Sequence, residues 1–258
     1  MKFFRYNQKY YFKNENFGEE IEGDIFNYKI KGEHIEIPSI LDPPYDYGKI
    51  LLVGKNYFEH VVRMNSNIPE KPVFFCKTKN TLIGHNGIIL KNKEVKKLDY
   101  EIELAIIIGK KCKDINKIDS IDCIFGYTIA NDISARDFQY SFNNQWFLGK
   151  SMDTFFPTGP FIVTKDEIDD PMNLNMELRI NGEIRQKSNT KYMIFDIYDL
   201  ISFISKYITL YPGDIISTGT PSGVAQESGD KYFLRDGDLI EAEIEKIGIL
   251  KNVVKNEI

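Results

Sequence analysis

Long apolar runs, a C-x-x-C motif and an excess of positive charge are all missing from this chain of 258 residues. Its longest apolar stretches, such as Ala105–Ile108, fall far short of the roughly 20 residues that a membrane-spanning helix needs, so no span is expected. The opening run, Met1-Lys-Phe-Phe-Arg-Tyr-Asn-Gln-Lys9, carries charge early and has no secretory core or cleavage site, which points to a cytoplasmic protein. Basic residues number 33 against 38 acidic ones, with no basic stripe, so nucleic acid is not an expected partner. The three cysteines, Cys76, Cys112 and Cys123, form no C-x-x-C pattern. They are expected to be reduced thiols rather than a zinc site or a disulfide framework. Histidine is equally scarce, at His34, His60 and His85.

What is present is strand signal. The first forty-odd residues alternate short apolar stretches with glycine and charge (Tyr10–Phe12, Asp24–Ile30, His34–Ile37) and are expected to form a small β subdomain, residues 1–46. The stiff connector Leu41-Asp-Pro-Pro-Tyr-Asp-Tyr-Gly48 follows, and residues 47–258 make the main domain. Within it, strands are expected at Ile50–Val53, Val73–Phe75, Ile102–Ile108, Phe125–Ala130, Phe161–Val163, Met176–Ile180, Ile215–Ser217 and Leu239–Ile244. Turns such as Asn86-Gly87, Asn181-Gly182 and Asp236-Gly237-Asp238 separate them. One clear helical period runs over Ile197–Ile208. The fold class is β-rich α+β.

Two glutamates one residue apart, Glu101 and Glu103, lie in an apolar strand whose alternate residues are Ile102, Leu104 and Ile106. The expectation is one face in a core and two carboxylates on the other. Solvated glutamates on an exposed strand would satisfy that pattern, and so would a divalent cation between paired carboxylates. A third carboxylate, Asp132, follows the strand Tyr127–Ala130, and a helical turn there would put Asp132, Arg136 and Gln139 on one face. Further on come Gly149-Lys150-Ser151 in an apolar setting and the turn Ser217-Thr-Gly-Thr-Pro-Ser-Gly223, which can offer hydroxyls and N–H groups to an anion. Upstream, Gly54-Lys-Asn-Tyr-Phe-Glu-His60 holds one of the histidines.

Together, Val53-Gly-Lys-Asn-Tyr57 with His60, Leu98-Asp-Tyr-Glu-Ile-Glu103, Tyr127-Thr-Ile-Ala-Asn-Asp-Ile-Ser-Ala-Arg-Asp137, Gly149-Lys-Ser151, Ile180-Asn-Gly-Glu183 and Ser217-Thr-Gly-Thr-Pro221 resemble the fumarylacetoacetate hydrolase family from about residue 48 onward. The resemblance implies a mixed β-roll, a homodimer, and a site for Mg²⁺ or Mn²⁺ (Ca²⁺ in crystals) held by Glu101, Glu103 and Asp132. It implies Arg136, Gln139 and Lys150 around a small 2-oxo acid, with the metal as Lewis acid for an enolate, and Thr220 toward the substrate carboxylate. Asn56 and Tyr57 flank the histidine and are candidates for substrate contact, with core packing an equal use for Tyr57. Trp146, Phe142, Phe147, Phe155 and Phe156 read as core or interface aromatics.

One position departs from the pattern. Many members carry a glutamate three residues after this histidine, and here that residue is Arg63. Adjacent Glu59 is expected to face elsewhere, and Glu70 would serve only if the loop folds back. Arg63 is therefore a candidate for binding a second substrate carboxylate. The expected chemistry is C–C bond cleavage next to the keto group, by hydrolysis or decarboxylation. The alternatives are isomerisation of a hydroxymuconate-like or hydroxyheptadienedioate-like diacid, and a metal-binding dimer with little catalysis.

Overall fold

The structure, a computed structural model, describes residues 1–140 and 144–257. The N-terminal part contains β1 (Lys2–Tyr6), β2 (Lys9–Asn14), β3 (Phe17–Asp24), β4 (Asn27–Glu36), β5 (Ile50–Gly54), α1 (Phe58–Arg63), β6 (Val73–Lys77), β7 (Leu82–Ile83) and β8 (Ile88–Lys91). The middle contains β9 (Leu98–Asp99), β10 (Ile102–Ile108), β11 (Ile124–Asn131), β12 (Ser134–Ala135), α2 (Arg136–Tyr140), α3 (Trp146–Lys150) and β13 (Phe156–Thr164). The remainder is β14 (Asn175–Ile180), β15 (Glu183–Asn189), α4 (Ile197–Tyr207), β16 (Ile215–Ser217), β17 (Leu239–Ile244) and β18 (Gly248–Asn256). Each strand expected in the main domain is found, and the helix ends one residue early. The chain is β-rich with few helices, as the sequence leads one to expect.

The main sheet runs β4-β3-β2-β1-β13-β11-β10-β16-β5-β6, with β7 beside β13. The N-terminal meander is thus one end of this sheet, joined through β1 to β13 in antiparallel register (Lys2 opposite Val163). One face of the main sheet packs on the second sheet, β15-β14-β17-β18-β8, and on α4. Ile102, Leu104 and Ile106 meet Leu178, Ile240, Leu250, Leu200 and Ile204 there. The other face closes on itself: Phe3 and Ile21 from one end share a core with Leu52, Ala105 and Ile215 from the other. A roll results. It also corrects the expectation for β10, which is buried on both faces. Ala105 and Ile107, on the glutamate side, enter the second core rather than solvent.

Helix α4 shows why its segment is helical. Asp196 caps it by accepting from the N–H groups of Tyr198 and Asp199, Asp199 returns a bond to the Asp196 N–H, and the periodic Ile197, Leu200, Ile201 and Ile204 are buried. Among the described residues no helix is long and apolar enough to cross a membrane.

The cysteine expectation is corrected. Cys112 and Cys123 form a disulfide, with Cα atoms 6.3 Å apart. They flank the connection from β10 to β11, whose antiparallel pairing and the bond from Gly109 N–H to Cys123 C=O bring the two segments together. Their spacing gives no hint of this, because the hairpin register decides it. Only Cys76 is a free thiol, so cysteine usage does not argue for a reducing compartment.

Candidate active site

Antiparallel pairing of β10 with β11 assembles the acidic cluster. Ile102 lies opposite Asn131 and Glu103 opposite Ala130, so Glu101 and Asp132 face each other just past the paired residues. Backbone bonds fasten them: Asp132 N–H donates to Glu101 C=O, and Glu101 N–H donates to the Asn131 side chain. Glu103 follows two residues along, on the same side. Ligand oxygens of Glu101, Glu103 and Asp132 all lie within 4.8 Å of one another, and all three side chains are buried.

Cations hold two of these carboxylates. Glu101 accepts from Arg136 and, at 2.8 Å, from Lys150 Nζ. Burial alone would raise its pKa, but Arg136 and then Lys150 outweigh it and hold the carboxyl below the usual range. Asp132 lies between Lys150 at 2.6 Å and Lys77 at 2.7 Å. Burial still pushes it up against those two charges. Glu103 differs: one oxygen accepts from the Ser217 hydroxyl and from Gly219 N–H, and among the described residues it forms no ion pair. Burial, then Asp132 and Glu101, raise its pKa well above the ordinary value.

The set fits a divalent cation. Three hard oxygen donors converge, and the one without a cation partner is the one whose charge is most disfavoured. The buried carboxylates of Asp99, Glu101, Glu103 and Asp132 face the cations Lys77, Arg136 and Lys150. A doubly charged ion would turn that net negative balance into one that welcomes an anionic substrate.

A cavity of about 470 Å³ opens over the cluster. His60, Arg136, Gln139, Lys150 and Thr220 all line it beside the three carboxylates. Lys150 arrives from α3, where Gly149 allows the approach, since a Cβ there would stand 2.7 Å from the Gln139 backbone nitrogen. Arg136 and Gln139 are one turn apart on α2, and the guanidinium donates to Gln139 at 2.9 Å. The helical face expected from Asp132 to Gln139 is not formed, because Asp132 precedes β12 and only Arg136 begins the helix. Thr220 donates to the Ile102 carbonyl and accepts from Gln186, which fixes the Gly-rich turn to β10. Trp146 lines the cavity, edge-on to Phe75, and Phe155 and Phe156 are core. Phe147 is exposed, and Phe142 lies outside the described residues. His34 is at the surface, and His85 accepts from Lys251 N–H beside its turn.

Three expected substrate contacts are not brought to the cavity. Tyr57 is buried, with its hydroxyl 3.2 Å from Met176 Sδ. Asn56 is a scaffold residue whose amide bonds the backbones of Phe195 and Thr218. Arg63 is exposed on α1, paired at 2.6 Å with Glu59 one turn earlier, with a longer contact of 4.0 Å to Glu227. Glu70 is exposed as well. Exposed pairs of this kind contribute little, so Arg63→Ala is expected to change stability by less than about 0.5 kcal/mol. Turnover should stay within about threefold, which a thermal melt and a rate assay on the purified variant check.

Sequence reasoning missed three residues. Glu227 supplies the carboxylate that the Arg63 position lacks: its Oε1 is 2.6 Å from His60 Nδ1, and its Oε2 accepts from Gly223 N–H at 2.8 Å. It stands 167 residues from the histidine, and only its place shortly after the Gly-rich turn could have drawn attention to it. Asp99 accepts from Arg136 Nε and from the N–H groups of Ala225 and Gln226, so it ties α2 to the segment that carries Glu227. Lys77 is fully buried behind Asp132, and burial pushes its ammonium down to about 8. Nothing in Val73-Phe-Phe-Cys-Lys77 marks it.

Residues 49–255 match the family model "Fumarylacetoacetate (FAA) hydrolase C-terminal". The chain is 54% identical over 209 residues to an uncharacterised protein of Methanocaldococcus jannaschii, covering 81% of this chain and 84% of that one. It is 45% identical over 206 residues to the mitochondrial oxaloacetate tautomerase Fahd2a of Rattus norvegicus, covering 80% of this chain and 66% of the rat protein. A solved structure of 2-hydroxyhepta-2,4-diene-1,7-dioate isomerase from Mycobacterium marinum superposes with a TM-score of 0.87 at 34% identity, over 100% of this chain and 99% of that one. With a family match over most of its length, this chain belongs to the fumarylacetoacetate hydrolase family of enzymes.

Proposed function

We propose that the chain is a divalent-metal-dependent enzyme that enolises a small 2-oxo dicarboxylic acid, interconverting its keto and enol forms. The observation that carries this reading is the meeting, around one cavity, of a histidine backed by a carboxylate, a buried ammonium and three converging carboxylates. Glu101, Glu103 and Asp132 would hold Mg²⁺ or Mn²⁺, which when bound supplies Lewis-acid stabilisation of negative charge on a keto oxygen.

The chain's own groups supply the rest. Enolisation removes a proton from the carbon beside the keto group and leaves negative charge on oxygen. With His60 Nδ1–H donating to the Glu227 carboxylate, the ring is held in the tautomer that leaves Nε2 as the basic nitrogen. Lys150, fixed by Glu101 and Asp132, brings positive charge to where the enolate forms, at no cost of reorganisation. The names of the relatives, a tautomerase of oxaloacetate and an isomerase of a dienedioate, support this class. C–C cleavage is the second reading, because the same His60–Glu227 pair is suited to activating water.

The test gives the purified chain oxaloacetate with Mg²⁺ or Mn²⁺ and then EDTA. Enol content is followed by ultraviolet absorbance, and released CO₂ is followed separately. Keto–enol relaxation accelerated by about 100-fold or more and abolished by the chelator is expected. Chelator-sensitive CO₂ release, or acyl acid from an acylpyruvate, without faster tautomerisation would transfer the assignment to cleavage. No chelator-sensitive change on either substrate would overturn both readings.

A further inference from the structure

Within the proposed reaction, the geometry points to Lys55 as the group that receives the distal carboxylate of the substrate and so selects diacids. Four cationic or basic side chains line the cavity: Lys55, His60, Arg136 and Lys150. Three are engaged by the protein. Arg136 donates to Asp99, Glu101 and Gln139, Lys150 to Glu101 and Asp132, and His60 is paired with Glu227. Lys55 alone among them has no hydrogen-bond or ion-pair partner among the described residues.

Its position is imposed on the backbone. Lys55 sits at φ +60°, in the left-handed region that non-glycine residues rarely adopt, between the end of β5 and α1. Asn56 holds the segment there, with side-chain bonds to Phe195 and Thr218 and a backbone bond from Ile194. The Gly219 turn packs against the same segment, where a Cβ would stand 2.9 Å from Val53 C=O. This places Lys55 beside the turn that carries Thr220. Val53, Val61, Phe75 and Trp146 give the same cavity its apolar lining, and Ser66, Asn144 and Thr220 add neutral polar groups. A half-buried lysine that lines the cavity and has no anionic partner among the described residues is complementary to a carboxylate. Arg63, which the sequence suggested for this task, does not line the cavity: it pairs with Glu59 and reaches Glu227 at 4.0 Å.

The test compares oxaloacetate with its 4-methyl ester, which keeps the reacting end and removes the distal charge. The kcat/KM ratio of diacid to monoester is measured for the wild-type chain, Lys55→Met and Lys55→Arg in Mg²⁺. A charge-assisted hydrogen bond corresponds to roughly 10- to 100-fold, so the wild-type ratio should fall by that factor in Lys55→Met and persist in Lys55→Arg. An unchanged ratio, or an equal loss on both substrates, would overturn the assignment. Dissociation constants for the same two compounds, by calorimetry, separate this claim from the reaction it rests on. If the wild-type chain turns over neither compound, the proposed reaction fails, and the binding ratio still decides the role of Lys55.

Discussion

Replacing Glu103 by glutamine is expected to abolish metal-dependent turnover while making the metal-free chain more stable. The substitution keeps shape and removes a charge that burial, Asp132 and Glu101 all disfavour. Removing even an outer partner of a ligand typically weakens metal affinity about 10- to 100-fold, and loss of one ligand carboxylate should exceed that. Stability moves the other way. A carboxyl whose folded pKa lies above its unfolded value of 4.5 binds protons more tightly in the fold. The metal-free wild-type chain therefore loses stability from Glu103 as pH rises from 4.5 through the folded pKa. Glu101 is shifted down, so its contribution is present above 4.5 and lost only as pH falls below it. In chelator at neutral pH, Glu103→Gln should melt higher than wild type, and the decline above pH 4.5 should shrink. A lower melting temperature, or full activity, would contradict the account of the cluster.

Glu227→Gln should lower kcat by about 10²- to 10⁴-fold, as His60→Ala should, with metal affinity within about twofold of wild type. The glutamine keeps its place below Gly223 but no longer offers a carboxylate to Nδ1, so the imidazole loses both its oriented tautomer and a compensating charge. If the two residues act as a unit, the double variant should lose little more than either single one. Stopped-flow enol absorbance together with metal titration of the three variants checks this. Additive losses would mean that Glu227 acts apart from His60.

Most strands and the Glu101–Glu103 pair were legible because the signals are local, while the resemblance supplied Asp132 as the third carboxylate. Alternation marks β10, and Glu101 and Glu103 share one side by strand periodicity alone. Other features depend on how distant segments come to lie together. The Glu101–Asp132 juxtaposition needs the β10–β11 register, and the same register brings Cys112 to Cys123. Arg63 looked like the residue that replaced a catalytic acid because it occupies that acid's place in the sequence. In space the carboxylate beside His60 comes from the segment after β16, as Glu227, and Arg63 pairs with Glu59 and stands 4.0 Å from Glu227. Asn56 and Tyr57 sit within a functional motif yet serve the scaffold, so a motif can mark residues that position a site as well as those that touch substrate.

Exchange of the protons on the carbon beside the keto group tests the central claim most directly, because enolisation requires it whatever product is finally released. Oxaloacetate would be followed by NMR in D₂O with the chain and Mg²⁺, and again after chelation. Exchange well above the protein-free rate, lost on chelation and lost in Glu103→Gln, is the predicted result. Exchange at the protein-free rate with Mg²⁺ bound, or exchange indifferent to the chelator, would contradict a metal-dependent enolising site built on Glu101, Glu103 and Asp132.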